Sequence, residues 1–182
     1  LVWEQTLINE VGDELRHFQE PEHLIARVLN RLMKRLDVES SAARLLNPES
    51  GVYDLCVVSA PENVREAWDA VPPLTPRPSD SVLSLRVPVR IDDLHAGIDP
   101  AVAARIPLRS AVSVPMFAGD DLIGALSLAS PAVGRFTSDD ERVLGIIANQ
   151  AAVGIQNSRL HSFVRAGKQE WEATFDAIGD AI

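Results

Sequence analysis

Residues 109–130 read RSAVSVPMFAGDDLIGALSLAS, and this stretch decides the fold class. Residues 110–117 and 122–130 are strand-like runs joined by a tight turn centred on Gly119 and Asp120. Gly takes the positive backbone angle that such a turn demands, and Asp tolerates it. Strands closed by so short a turn are antiparallel. Along the first of them Ala111 and Ser113 share one face and Val112 and Val114 the other. Both faces are apolar or small, so alternation does not distinguish them.

Downstream the period changes. The Thr137 hydroxyl can cap a helix whose first turn carries Asp139, Asp140 and Glu141 at the positive end of the dipole. Val143, Leu144, Ile147, Ala148, Ala151, Ile155, Leu160, Phe163 and Val164 continue an apolar stripe, with no proline between Ser138 and Ile182. Unbroken to about Phe175, the helix would run on the order of 55 Å at 1.5 Å per residue, more than a small domain needs.

Upstream, residues 41–46 and 52–60 read as a hairpin around Asn47, Pro48, Glu49, Ser50 and Gly51. Residues 60–80 form a proline-rich excursion with room for a short helix over 64–70. A third strand falls within 83–91, then a second excursion with a helical turn at 101–105. Pro21 opens a helix that buries Leu24, Ile25, Val28, Leu29, Leu32 and Leu36, with Arg27, Arg31, Lys34 and Arg35 on its solvated side. In residues 1–18, Leu1, Ile8 and Leu15 fall seven apart with Val11 and Phe18 between heptad positions, a helix with a narrow seam.

With 182 residues, 46% hydrophobic and 24% charged, the chain suits one domain with helical extensions and is not disordered. A net charge of −9 opposes nucleic acid and anionic membrane as main partners. The single cysteine, Cys56, excludes an intramolecular disulfide and a cysteine zinc cluster, which makes a reducing, cytoplasmic setting the expectation. No apolar run approaches the ~18 residues of a membrane span. Opening at Leu1, the chain reads as a piece of something longer.

Catalytic constellations are not expected. His17, His23, His95 and His161 are scattered without metal-ligand spacing, and there is neither a glycine-rich phosphate loop nor a nucleophile elbow. Asp92 with Asp93 and Asp120 with Asp121 read as turn punctuation. Cys56, between Leu55 and Val57 in a strand, reads as a buried small hydrophobe.

The segments RVPVRIDD (86–93), RSAVSVPMFAGDDLIGALSLAS (109–130) and FTSDDERVLGIIANQAAVGIQNSRL (136–160) resemble the GAF domain of bacterial signalling proteins. The resemblance implies an α+β fold: a mostly antiparallel sheet of five to six strands with helices on one face, loops and short helices on the other, and long N- and C-terminal helices. It divides the chain into a linker helix (1–19), a GAF domain (20–160) and a signalling helix (161–182). WEATFDAIGDAI (171–182) is similar to the opening of a PAS domain, an order of domains similar to that of sensor histidine kinases.

Ligand signatures of the family are incomplete here. Phe136, Asp140 and Glu141 match the second half of the cyclic nucleotide motif, but Ala129 and Ser130 stand where Asn and Lys would be. Cys56 lacks the neighbouring His of bilin-binding members, and Arg105 stands where a haem-ligating His would be, with His95 further upstream. Haem and bilin are therefore not expected, no metal is expected, and the cofactor stays unnamed. The implied function is a non-enzymatic sensor and dimerisation module of a two-component type protein. Ile8, Val11, Leu15, Ile155 and Phe163 are its candidate pairing residues, and PAS and output domains lie downstream. The alternatives are a small enzyme of the methionine sulfoxide reductase type and a spacer domain. Which sheet face lines the cavity, what the cavity holds and the direction of signalling are open from sequence.

Overall fold

The computed structural model describes residues 21–69 and 77–179. In chain order the elements are α1 (Pro21–Leu36), β1 (Ser40–Leu45), β2 (Leu55–Ser59), α2 (Glu62–Asp69), α3 (Pro78–Leu85), β3 (Val89–Ile91), α4 (Pro100–Ala103), β4 (Ser110–Ala118), β5 (Asp121–Ser130) and α5 (Ser138–Gly179). The five strands form one sheet in the order β2-β1-β5-β4-β3, antiparallel at every pairing.

All six expected apolar positions of α1 are buried. They pack with Val143, Leu144, Ile147, Ala148, Ala151 and Ile155 of α5 over Leu45, Val112, Val114, Leu126 and Leu128 of the sheet. Each fully buried Leu, Ile or Val contributes about 1.5–3 kcal/mol, so this layer is the main source of stability. The described residues cover the opposite face only in part. There Val64, Leu94, Ile106, Leu108 and Ala111, from the two excursions and β4, form a second, smaller cluster.

The turn between β4 and β5 has two residues, with Ala118 opposite Asp121. Gly119 carries the positive φ of 62°. Four residues on, the ladder shifts: Met116 faces Gly124 and Phe117 faces Leu122, leaving Ile123 as the extra residue of a bulge. The bulge turns Ile123 into the main core. A Cβ at Gly124 would run into the Arg44 carbonyl of β1, so the strands approach there only because the residue is glycine.

One strand boundary is corrected and another is narrowed. β2 begins at Leu55, not at residue 52, because the guanidinium of Arg44 occupies the Tyr53 carbonyl, at 3.3 Å from Nε and 3.0 Å from Nη2. The third strand expected within 83–91 is β3, and residues 83–85 ahead of it belong to α3. Its N-terminus has Pro78 in the first turn and the Asp80 carboxylate accepting from the Arg77 N–H at 2.8 Å. α3 ends on Arg86 with φ 60°, and only Val89–Ile91 pairs with β4.

The cap on α5 is as expected. The Asp140 N–H donates to the Thr137 hydroxyl oxygen at 3.2 Å, and the Asp140 carboxylate accepts from the Thr137 N–H at 2.8 Å. α5 then runs for 42 residues without a break at Asn157, about 63 Å at 1.5 Å per residue. Among the described residues no helix is long and apolar enough to cross a membrane.

Candidate functional site: a cavity rimmed by arginine

A cavity of about 360 Å³ opens on the sheet face away from α1 and α5. Its floor is built from small side chains, Ala42 of β1, Ala111 of β4, and Ser127 and Ala129 of β5. Their neighbours one position along, Ala43, Val112, Leu126 and Leu128, belong to the helix-covered core. Strand alternation thus sends volume to one face and leaves space on the other. The Ala111 and Ser113 side is the cavity side. Ser113 and Ser127 share a 2.7 Å hydrogen bond between their hydroxyls across β4 and β5.

Three cations border this space: Arg44 on β1, Arg65 on α2 and Arg77 before α3. No acidic side chain is among the described residues that line it. Arg44 is fixed in place, donating to the Tyr53 carbonyl and pairing with Asp80. Arg65 and Arg77 are exposed at the rim. Arg65 makes no side-chain hydrogen bond or ion pair among the described residues.

Cys56 is corrected from buried to cavity-lining. It sits opposite Arg44 in the β1–β2 register, is open to solvent and shares the wall with Val58. Protein atoms still crowd the sulfur. Desolvation pushes the thiol above its ordinary value of 9.0, and the attraction of Arg77 and then Arg44 offsets this only in part. The thiol is therefore protonated near neutral pH.

The other candidate residues fall elsewhere. Ile8, Val11 and Leu15 lie outside the described residues. Ile155 is 0% exposed, held in the core between α5 and the sheet, so it has no surface to offer a second chain. Phe163 is 79% exposed. Phe136 is buried in the main core, Asp140 serves the helix cap, and Glu141 reaches Arg90 at 3.4 Å. All three have structural employment away from the cavity lining. His95 sits with Nε2 2.9 Å from the Ile106 carbonyl, which requires that nitrogen to carry the proton. No group of three or more metal-ligating side chains occurs among the described residues.

Arg44, Arg65 and Arg77 were not singled out from sequence. Nothing local connects residues so far apart on three elements. The small residues of SSAARL, SAVSV and SLAS were the available signal, since each run places small and large side chains on opposite faces.

A family model for the GAF domain matches residues 19–156. The chain belongs to the GAF family. Solved structures share the fold at low identity. The free methionine-R-sulfoxide reductase of Neisseria meningitidis, in complex with its substrate, is 17% identical with a TM-score of 0.69, over 87% of this chain and 91% of that one. The GAF domain of a phosphoenolpyruvate-protein phosphotransferase from Coxiella burnetii is 15% identical with a TM-score of 0.65, over 87% and 96%. A phycoerythrobilin-bound GAF domain of a cyanobacterial phytochrome is 18% identical with a TM-score of 0.61, over 87% and 96%. An enzyme, a domain of a phosphotransferase and a pigment-binding domain thus stand on one fold, and the function must be argued from the site.

Proposed function

We propose that this GAF domain is a non-enzymatic regulatory module, which pairs with a second copy through α5 and passes a ligand-dependent change along that helix. The observation that carries the reading is a second stripe on α5. Ile146, Val153 and Leu160 are exposed at intervals of seven, and Val164 and Trp171, again seven apart, are exposed eleven positions on from Val153 and Leu160, one heptad plus four, which keeps the 4-3 rhythm. Leu160, Val164 and Trp171 are 57, 67 and 64% exposed. Phe163 flanks them. Sequence periodicity merged this outer seam with the inner face that ends at Ile155.

A route from cavity to helix supports the same reading. β1 carries Arg44 into the cavity, and at its end the Leu46 carbonyl accepts from Nη2 of Arg159 on α5. Gln156 reaches Asp121 at the start of β5, 3.3 Å away. A ligand that favours one setting of β1 would favour one setting of the helix root, which is the differential interaction that signalling requires. The PAS-like stretch 171–182 suits a longer cytoplasmic sensor of the histidine kinase type, with α5 leading into its next domain.

Leu160→Asp with Val164→Asp tests the pairing. Both side chains are exposed, so helix content should stay the same while the sedimenting mass halves. A wild-type monomer, or a variant of unchanged mass, would overturn the pairing. Cys56 on the cavity wall favours a second reading, a sulfoxide-reducing enzyme. A thiol held above its ordinary pKa, in a chain with no second cysteine to resolve a sulfenic acid, suits that chemistry poorly. Reduction of free methionine sulfoxide that is lost in Cys56→Ser would establish it.

A further inference from the structure

We infer that the cavity takes a small organic anion, a carboxylate or phosphate monoester on a compact apolar body, with its charged end held at the rim by Arg65 and Arg77. The inference deepens the reading of the domain as a ligand-responsive module and rests on it. Charge is the first ground. The chain carries −9 overall, yet among the described residues the charged side chains that line the cavity are three arginines, of which Arg44 is paired with the Asp80 carboxylate, so the site runs against the sign of the molecule. A concave site of one sign, with low-dielectric walls, concentrates the opposite charge.

The depth profile is the second ground. Ala111 is buried on the floor, and Ala42, Ser127 and Ala129 beside it are small, whereas Arg65 and Arg77 stand in solvent. A ligand that matches this gradient is apolar at its inner end and charged at its outer end. Ser127, the one hydroxyl of the floor, is engaged with Ser113, and the cationic groups near the cavity are the arginines at its border. Guanidinium groups are the third ground. Their planar forks meet carboxylate and phosphate through paired hydrogen bonds. Arg44 has committed its fork to Tyr53 and Asp80 and acts as a fixed wall. Arg65 has donors to give.

The volume sets the scale. About 360 Å³ lies near the lower end of small-molecule pockets, which suits a body of one ring or a short branched chain. Cys56 and Val58 on the same wall are compatible with such a body, the protonated thiol behaving as a small hydrophobe.

Titration calorimetry of the full chain at low salt, with benzoate and phenyl phosphate as probes and benzyl alcohol as their neutral counterpart, tests the assignment. At least one anion should bind, and benzyl alcohol should bind about tenfold more weakly or worse. Tighter benzoate assigns a carboxylate headgroup, and tighter phenyl phosphate a phosphate ester. Arg65→Gln and Arg77→Gln should each weaken the anion about tenfold, the loss of a charge-assisted hydrogen bond, and leave benzyl alcohol unchanged. Arg65→Gln removes no internal bond, so it keeps the test intact should Arg77→Gln fold poorly. Ala42→Leu should fill the floor and abolish binding of every probe. Equal binding of benzyl alcohol and the anions, wild-type affinity in Arg65→Gln, or no heat at roughly millimolar anion would each overturn the assignment. The two proposals fail separately. The arginine variants keep the dimer mass, and the Leu160→Asp, Val164→Asp protein keeps the anion affinity.

Discussion

The two faces of this sheet are built from the same strands and differ in almost everything else. On the helix side Leu45, Val112, Val114, Met116, Leu126 and Leu128 are wholly buried beneath α1 and the first half of α5. On the other side Ala42, Ala111, Ser127 and Ala129 leave a cavity that, among the described residues, β2, α2 and the start of α3 border. One face spends side-chain volume on stability and the other withholds it for binding. A residue's contribution to folding should therefore depend on which way it points more than on its strand.

The largest expected effect breaks the comparison at a single step along β5. Leu126→Ala opens a hole in the closed face and should cost about 2–5 kcal/mol, read as a lower midpoint in urea with an unchanged slope. Ala125→Gly, one residue away on the cavity side, deletes far less buried surface and should cost about 1 kcal/mol, from backbone freedom. Equal losses at the two positions would mean that the faces are not energetically distinct.

A smaller effect is expected where the two faces trade places. At the bulge Ile123 turns inward and Gly124 lets β5 lie against the Arg44 carbonyl. In Gly124→Ala the new methyl group meets backbone, which yields less than a flexible side chain would. The variant should lose about 1–3 kcal/mol by overpacking. It should also disturb the cavity, since the strand pushed aside is the one that carries Arg44. Full stability with unaltered anion binding would show that the close approach is not needed.

Features set by neighbours in the chain were legible in the sequence. The Gly119 turn, the Thr137 cap, the buried stripe of α1 and the short helix after residue 60 each follow from a few adjacent residues, and each stands where expected. Features settled across the fold were not. The start of β2 depends on which group takes the Tyr53 carbonyl, and that group is the Arg44 side chain. The run 83–91 is rich in β-formers, yet Pro78 and Asp80 had already started a helix, a signal readable in sequence but outweighed by the pattern after it. Cys56 shows the limit most plainly. Its strand was readable, but its face depended on register with β1, and register is a property of the pair. The cavity was half legible, as small residues on one strand face, while its arginines come together only through tertiary structure.

The smallest expected effect concerns an ion pair that ties the cavity-side excursion to the sheet. Asp93 follows β3, Arg109 precedes β4, and they meet in a two-bonded fork, Nε to Oδ1 at 3.0 Å and Nη2 to Oδ2 at 2.8 Å. Chiefly through that fork, and then through the His95 N–H, the Asp93 carboxyl is held down from its ordinary 3.8 to about 2. A carboxylate whose pKa is depressed by folding stabilises the native state above its unfolded value, and the contribution fades as acid protonates it in the folded protein. The difference in Tm between wild type and Asp93→Asn should accordingly be steady above pH 3.8, shrink between there and about 2, and vanish below. The pair is half-buried at the surface and open to solvent on one side, so the difference should be slight and salt should shrink it further. A difference that persisted below pH 2, or that grew on acidification, would mean that Asp93 contributes through packing or through its uncharged hydrogen bonds and that the pairing with Arg109 adds little.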